Sequence, residues 1–131
     1  MIATLQCTVI DCPDPLHLAA FYGELTGGAV NRPDRQWAVD ESWATVHTPQ
    51  GQVLAFQRAT DFHPPRWPDP EHPQQFHLDF TVPDLAAAHT EVLAIGARVL
   101  DHAGTTRGWN VYADPAGHPF CLVGHGSPAT A

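Results

Sequence analysis

Two ionisable residues, His77 and Asp79, stand two apart in a segment that reads as a strand. In the run Phe76-His77-Leu78-Asp79-Phe80-Thr81-Val82, polar and apolar residues alternate. A strand would therefore carry His77, Asp79 and Thr81 on one face and Phe76, Leu78, Phe80 and Val82 on the other. An imidazole beside a carboxylate can take a proton from a bound molecule and return it, as general base and then general acid. Both groups are costly to leave dry, so water or a ligand must satisfy them. His77 and Asp79 are the candidate catalytic pair.

The chain repeats itself, and the repeat brings further residues to equivalent positions. The stretch from Ser42 to Phe56 lies over that from Gly108 to Leu122, with Thr48-Pro49-Gln50-Gly51 over Asp114-Pro115-Ala116-Gly117. Upstream, Thr8 to Leu25 lies over Leu78 to Ile95, with Pro13-Asp14 over Pro83-Asp84. Cys7 is thereby the counterpart of His77, and Ala55 the counterpart of Cys121. Cys7, His77 and Cys121 become residues that could share one site. Each half reads as strand, helix and three strands, and such a unit cannot bury its apolar face alone. The expected fold is α+β: two βαβββ modules in one chain, with curved mixed sheets enclosing a pocket and helices outside.

The elements that position these residues follow from local signals. Asp14 can cap a helix whose first turn holds Pro15 and whose stripe is Leu18, Phe21, Tyr22 and Leu25, stopped by Gly27-Gly28. Asp84 caps a second, with Leu85, Ala88, Val92 and Ile95 as its stripe and Gly96 as its stop. The first strand, Leu5 to Asp11, would show Cys7, Val9 and Asp11 on the face equivalent to that of His77. In the last strand Phe120 and Leu122 face a helix, which turns Cys121 the other way. Phe62 to Pro73 is broken by prolines. One domain over 1–125 results, with a first module at about 3–59, a Pro-rich linker at 60–75, a second module at about 76–125 and a tail at 126–131 that frays.

Composition narrows the function. A net charge of −8 with six Lys+Arg among 131 residues leaves no cationic stripe for a nucleic-acid backbone. No stretch approaches the ~20 apolar residues of a membrane span, and Met1 to Leu5 shows no basic leader. Three cysteines in no framework spacing suit a reducing compartment, so the expected location is cytoplasmic. There is no phosphate loop, dinucleotide turn or Gly-x-Ser-x-Gly elbow.

The duplicated unit, the Asp14-Pro15…Phe21-Tyr22 opening and the Asp114-Pro115-Ala116-Gly117-His118 turn together resemble the vicinal oxygen chelate superfamily of glyoxalase I, bleomycin-resistance proteins, fosfomycin-resistance enzymes and extradiol dioxygenases. The resemblance runs from about Leu5 to Val123. The phrase Pro64-Pro65-Arg66-Trp67-Pro68…His77-Leu78-Asp79-Phe80 is similar to the small glyoxalase-like proteins of that group. The resemblance implies metal ligands at four places, which here hold Cys7, Ala55, His77 and Cys121. The two acidic ligands are missing, so no metal cofactor is favoured for hard-cation chemistry. The alternative is zinc on Cys7, His77 and Cys121 with a fourth position open. Free cysteines otherwise pack as small apolar residues.

Aromatic residues supply the rest of a binding site. Trp37, Trp43, Phe62, Trp67, Trp109 and Tyr112 flank the hairpins and the Pro-rich segment. Trp43 and Trp109, being repeat-equivalent, read as core residues against the helices or a dimer contact. Trp67 on its stiffened segment is the better ligand wall. The histidines outside His77 show no metal spacing and read as mostly solvated. Two functions stay open. The favoured one is metal-independent binding of a small aromatic or amphipathic molecule, in the manner of bleomycin-resistance proteins, against Cys7, Val9, Ala55, Gln57, Trp67, His77, Asp79 and Cys121. The other is a lyase or isomerase using His77 and Asp79, or the zinc site. The resemblance also implies a homodimer, which would cover open sheet edges.

Overall fold

The computed structural model describes residues 1–2, 4–31, 40–103 and 106–125. Trp37 and the tail at 126–131 lie outside them. The chain forms two compact units, Met1–Phe62 and His63–Ala131. In the first, β1 (Thr8–Cys12) is followed by α1 (Pro15–Thr26), β2 (Ala29–Val30), β3 (Trp43–His47) and β4 (Val53–Arg58). In the second, β5 (Leu78–Val82) is followed by α2 (Leu85–Ala94), β6 (Arg98–Asp101), β7 (Trp109–Ala113) and β8 (Pro119–Gly124). The sheet orders are β1-β4-β3-β2 and β5-β8-β7-β6. In each, the first and last strands of the unit pair in parallel and the remaining pairs are antiparallel. The expected βαβββ repeat is present, and the two units share a register: Val9 lies opposite Ala55 and Asp79 opposite Cys121.

Local chemistry makes these elements. The Asp14 carboxylate accepts from the His17 N–H at 3.2 Å, and Asp84 accepts from Ala87 at 3.0 Å; each satisfies an orphan donor of a first helical turn. Gly27 ends α1 in the left-handed conformation at φ 71°, where a side chain would be strained. Leu18, Ala19, Phe21 and Tyr22 are buried on α1, and Tyr22 stacks on Phe56 with ring centres 5.5 Å apart. On α2 only Val92 is fully buried. The aromatic core of the second unit comes from the sheet: Phe120 lies 5.7 Å from Tyr112 and 5.9 Å from Phe80.

The two hairpin turns use one device with different atoms. Thr48 Oγ1 accepts the Gln52 N–H at 3.0 Å, while the Asp114 carboxylate accepts the N–H groups of Ala116 and His118 at 2.9 and 3.0 Å. These side chains stand in for backbone acceptors and set the loop length that fixes the β3–β4 and β7–β8 register. The Pro-rich segment belongs to the second unit and packs on this turn. A Cβ built on Gly117 would sit 2.8 Å from Pro64 Cβ.

The strands begin later than the alternation suggests. Leu5 is exposed, and β1 starts at Thr8. Phe76, expected in the core, is 55% exposed and precedes β5. The β5–β8 ladder opens at Leu78 opposite Phe120, as the β1–β4 ladder opens at Thr8 opposite Leu54. Gly51 and Gly117 are repeat-equivalent, both at positive φ (92° and 99°), and only Gly117 has a neighbour against a new methyl. Gly51→Ala should cost about 1–2 kcal/mol of left-handed strain, and Gly117→Ala should cost more than that. Denaturant unfolding of the two variants checks the order.

Candidate functional site

The second sheet separates its residues by face. Tyr112 and Phe120 lie on the side of α2, where Tyr112 Oη meets His89 Nδ1 at 2.9 Å. The opposite face, open only in the sense that α2 does not cover it, carries Val111, Cys121 and Val123 as a buried cluster, with Trp67, Leu100 and Trp109 packed against it. Because β5 runs parallel to β8 with Asp79 opposite Cys121, side-chain alternation places the Asp79 carboxylate next to the thiol on that face. His77, two residues earlier, points the same way. Its Nε2 lies 3.3 Å from Asp79 Oδ1, with the two side chains 24% and 29% exposed.

One ligand atom from each of His77, Asp79 and Cys121 falls within 4.8 Å of the others. A carboxylate only accepts hydrogen bonds, so Asp79 can serve a donor on either neighbour. The same carboxylate serves the thiol. Burial, then the negative charge of Asp79 and its hydrogen bond, push the Cys121 thiol up to about 12, against which the Arg107 guanidinium pulls weakly. Cys121 is therefore a thiol at neutral pH and a poor nucleophile.

These three donors were each named by the sequence, Asp79 as an acid or base rather than a ligand. Trp67 is brought to the same face. Cys7, Val9, Ala55 and Gln57 belong to the first unit: Cys7 is partly buried just before β1, Val9 is partly exposed opposite the fully buried Ala55, and Gln57 lies at an exposed position opposite Asp11. The thiol of Cys7 is raised by burial.

Two expectations change. Trp109 packs on the open face with Val111 and Cys121 rather than under a helix, since β7 presents it on the side opposite Tyr112. His89 is half-buried rather than solvated, and its ring stacks 4.2 Å from that of His102. Sequence reading missed Arg107, whose guanidinium lies 3.7 Å over the Trp109 ring and bonds Asp101 Oδ2 at 3.1 Å. The Arg107-Gly108-Trp109 adjacency was the only signal, and the stacking needs the turn into β7.

The family model of the glyoxalase-like domain matches residues 7–123. The chain belongs to the glyoxalase-like domain family. Its fold is that of the vicinal oxygen chelate superfamily. A glyoxalase/bleomycin resistance protein/dioxygenase family enzyme from Burkholderia phytofirmans PsJN superposes with a TM-score of 0.70 at 16% identity, covering 93% of this chain and 98% of that one. The fosfomycin resistance protein FosX from Listeria monocytogenes gives 0.66 at 13% identity over 95% and 94%. A glyoxalase-related enzyme from Fulvimarina pelagi gives 0.61 at 21% identity over 93% and 89%. A search of curated proteins finds no significant match. At these identities the structural likeness establishes the fold, and activity must be argued from the site.

In this glyoxalase-like domain the Asp79 carboxylate adds to the effect of burial on the thiol. Asp79→Asn removes a charge and a hydrogen bond that both favour the protonated form, so the Cys121 thiol should fall from about 12 towards its ordinary value of 9.0. Thiolate absorbance during alkaline titration reads this directly. The wild-type thiol is raised on folding, so its contribution to stability is complete below pH 9 and is lost as pH rises through about 12.

Proposed function

We propose that this glyoxalase-like domain binds a small organic molecule on the open face of its second unit, without requiring a metal, and that His77 and Asp79 are its proton-handling contact. The observation that carries this is the shared carboxylate: His77 and Cys121 both turn to Asp79, so the polar atoms of the site satisfy one another beside an apolar floor and two tryptophans. Aromatic walls with a few convergent polar groups suit small-molecule recognition. A bound hydroxyl or acidic C–H against the His77 imidazole could give up its proton, which makes isomerase- or lyase-type chemistry the catalytic extension of the same site. Sequestration, as in the bleomycin-resistance group, needs only the walls.

A second reading rests on the proximity of three donors. Nitrogen, oxygen and sulfur within 4.8 Å of one another suit zinc better than calcium or magnesium. His77, Asp79 and Cys121 would hold it, and the ion would supply Lewis-acid polarisation of a ligand oxygen. The site must first give up the Cys121 proton, so occupancy should fall steeply as pH is lowered. Protein purified without chelator should carry well under one equivalent of metal by elemental analysis. A full equivalent that is lost in Cys121→Ser, with a thiolate-to-cobalt charge-transfer band after cobalt exchange, would establish the metal reading instead.

The same proposal includes pairing of two chains. β1 and β2 are the edges of one sheet and β5 and β6 those of the other, and the edge-strand residues Val9, Val30 and Val99 are exposed. Open edges with apolar side chains favour closed two-fold association. Sedimentation should give twice the chain mass; a particle of 14.2 kDa at all micromolar concentrations would overturn the dimer. Among the described residues no helix is long and apolar enough to cross a membrane.

A further inference from the structure

Arg107 is a cation fixed at the margin of the open face. Its Nε donates to the Trp109 carbonyl at 2.8 Å and Nη1 donates to Asp101 Oδ2 at 3.1 Å. Nη2 has only a long 3.5 Å contact with the Asp101 carbonyl. The guanidinium plane is thus held over the Trp109 ring, and Trp109 itself packs on the floor formed by Val111, Cys121 and Val123. A guanidinium has five N–H donors, and among the described residues these bonds engage three of them. Its side chain is 26% exposed and that of Asp101 41%, so a ligand can reach the cation and water already screens its partner.

We infer that Arg107 is an anion-recognition residue and that the molecule bound on this face is a small organic acid, its carboxylate on the free edge of the Arg107 guanidinium and its apolar body along Trp109. The inference rests on the reading of this face as a small-molecule site. Arg suits the role because its planar fork matches a carboxylate, and because stacking on indole has already removed most of its rotamer freedom. Asp101 acts as a placeholder: it holds the fork in position and competes with the ligand for it. His77 and Asp79 then meet the other end of the acid.

The test uses 2-naphthoate and its neutral isostere 2-naphthamide, titrated by calorimetry against the full chain and two variants. The wild-type protein should prefer the acid by about 10- to 100-fold, the range of one charge-assisted bidentate contact, and added salt should shrink the preference. Asp101→Asn should tighten naphthoate several-fold and leave naphthamide unchanged, because it frees the fork. Arg107→Met should abolish the preference while retaining naphthamide binding. Equal binding of acid and amide, or a weaker acid in Asp101→Asn, overturns the role of Arg107 and leaves the small-molecule site standing. Binding of neither probe by folded wild-type protein overturns both.

Discussion

The parallel pairing of β5 with β8 in one register, Asp79 beside Cys121, is the constraint on which the site depends. Side chains alternate along a strand, so this register sends Phe80 and Phe120 to the side of α2 and Asp79 and Cys121 to the open side. A slip of β5 by one residue would reverse its faces, placing the Asp79 carboxylate under the helix and Phe80 on the open face. The aromatic contacts of Phe120 with Tyr112 and Phe80 oppose that slip. The hydrophobic core therefore sets the geometry of the polar site on its reverse side, and Asp114 reinforces it by fixing the length of the β7–β8 turn.

Once Asp79 and Cys121 are neighbours, the proton inventory follows. A carboxylate beside a buried sulfur makes a thiolate unfavourable, since two negative charges would share a poorly solvated space. The proton stays on sulfur, and Asp79 holds both that thiol and the His77 ring. This arrangement gathers an imidazole, a carboxylate and a thiol around one spot. It also separates two chemistries that use the same atoms. An ion would need the thiol proton removed, whereas an organic ligand needs only the imidazole. Proton affinity at Cys121 is the quantity that divides a metal site from a binding site.

The repeated units show that one scaffold can carry unequal chemistry. The equivalent positions that hold His77, Asp79 and Cys121 in the second unit hold Cys7, Val9 and Ala55 in the first. Backbone pairing is the same, because capping by Asp14 and Asp84, the turn acceptors Thr48 and Asp114 and the glycines after them are all present twice. Packing differs in its details: Tyr22 on α1 stacks on Phe56, whereas the corresponding aromatic layer of the second unit is supplied by β7 and β8. Side chains that build the unit are repeated in kind, and those facing the ligand side are free to diverge.

The fold was legible because its signals are local and occur twice. Pro-Asp before a helical stripe, a Pro-x-Gly turn between apolar runs, and strict alternation in His77 to Val82 each have a short-range cause, and repetition set Cys7 against His77 and Ala55 against Cys121 as equivalent positions. Strand ends were less legible. Phe76 and Leu5 continue the alternation, yet the ladder starts at Leu78 and Thr8, where a hydrogen-bonding partner is available. Tertiary structure alone decided that Trp109 lies on the open face with Arg107 stacked over it, that Pro64 rests on Gly117, and that Asp79 is the common acceptor for His77 and Cys121. Those facts depend on which atoms meet across strands and loops. Residue type and spacing determine which face a side chain takes, but distance, burial and the sharing of one proton acceptor arise only when the sheet, its turns and the Pro-rich segment are packed together.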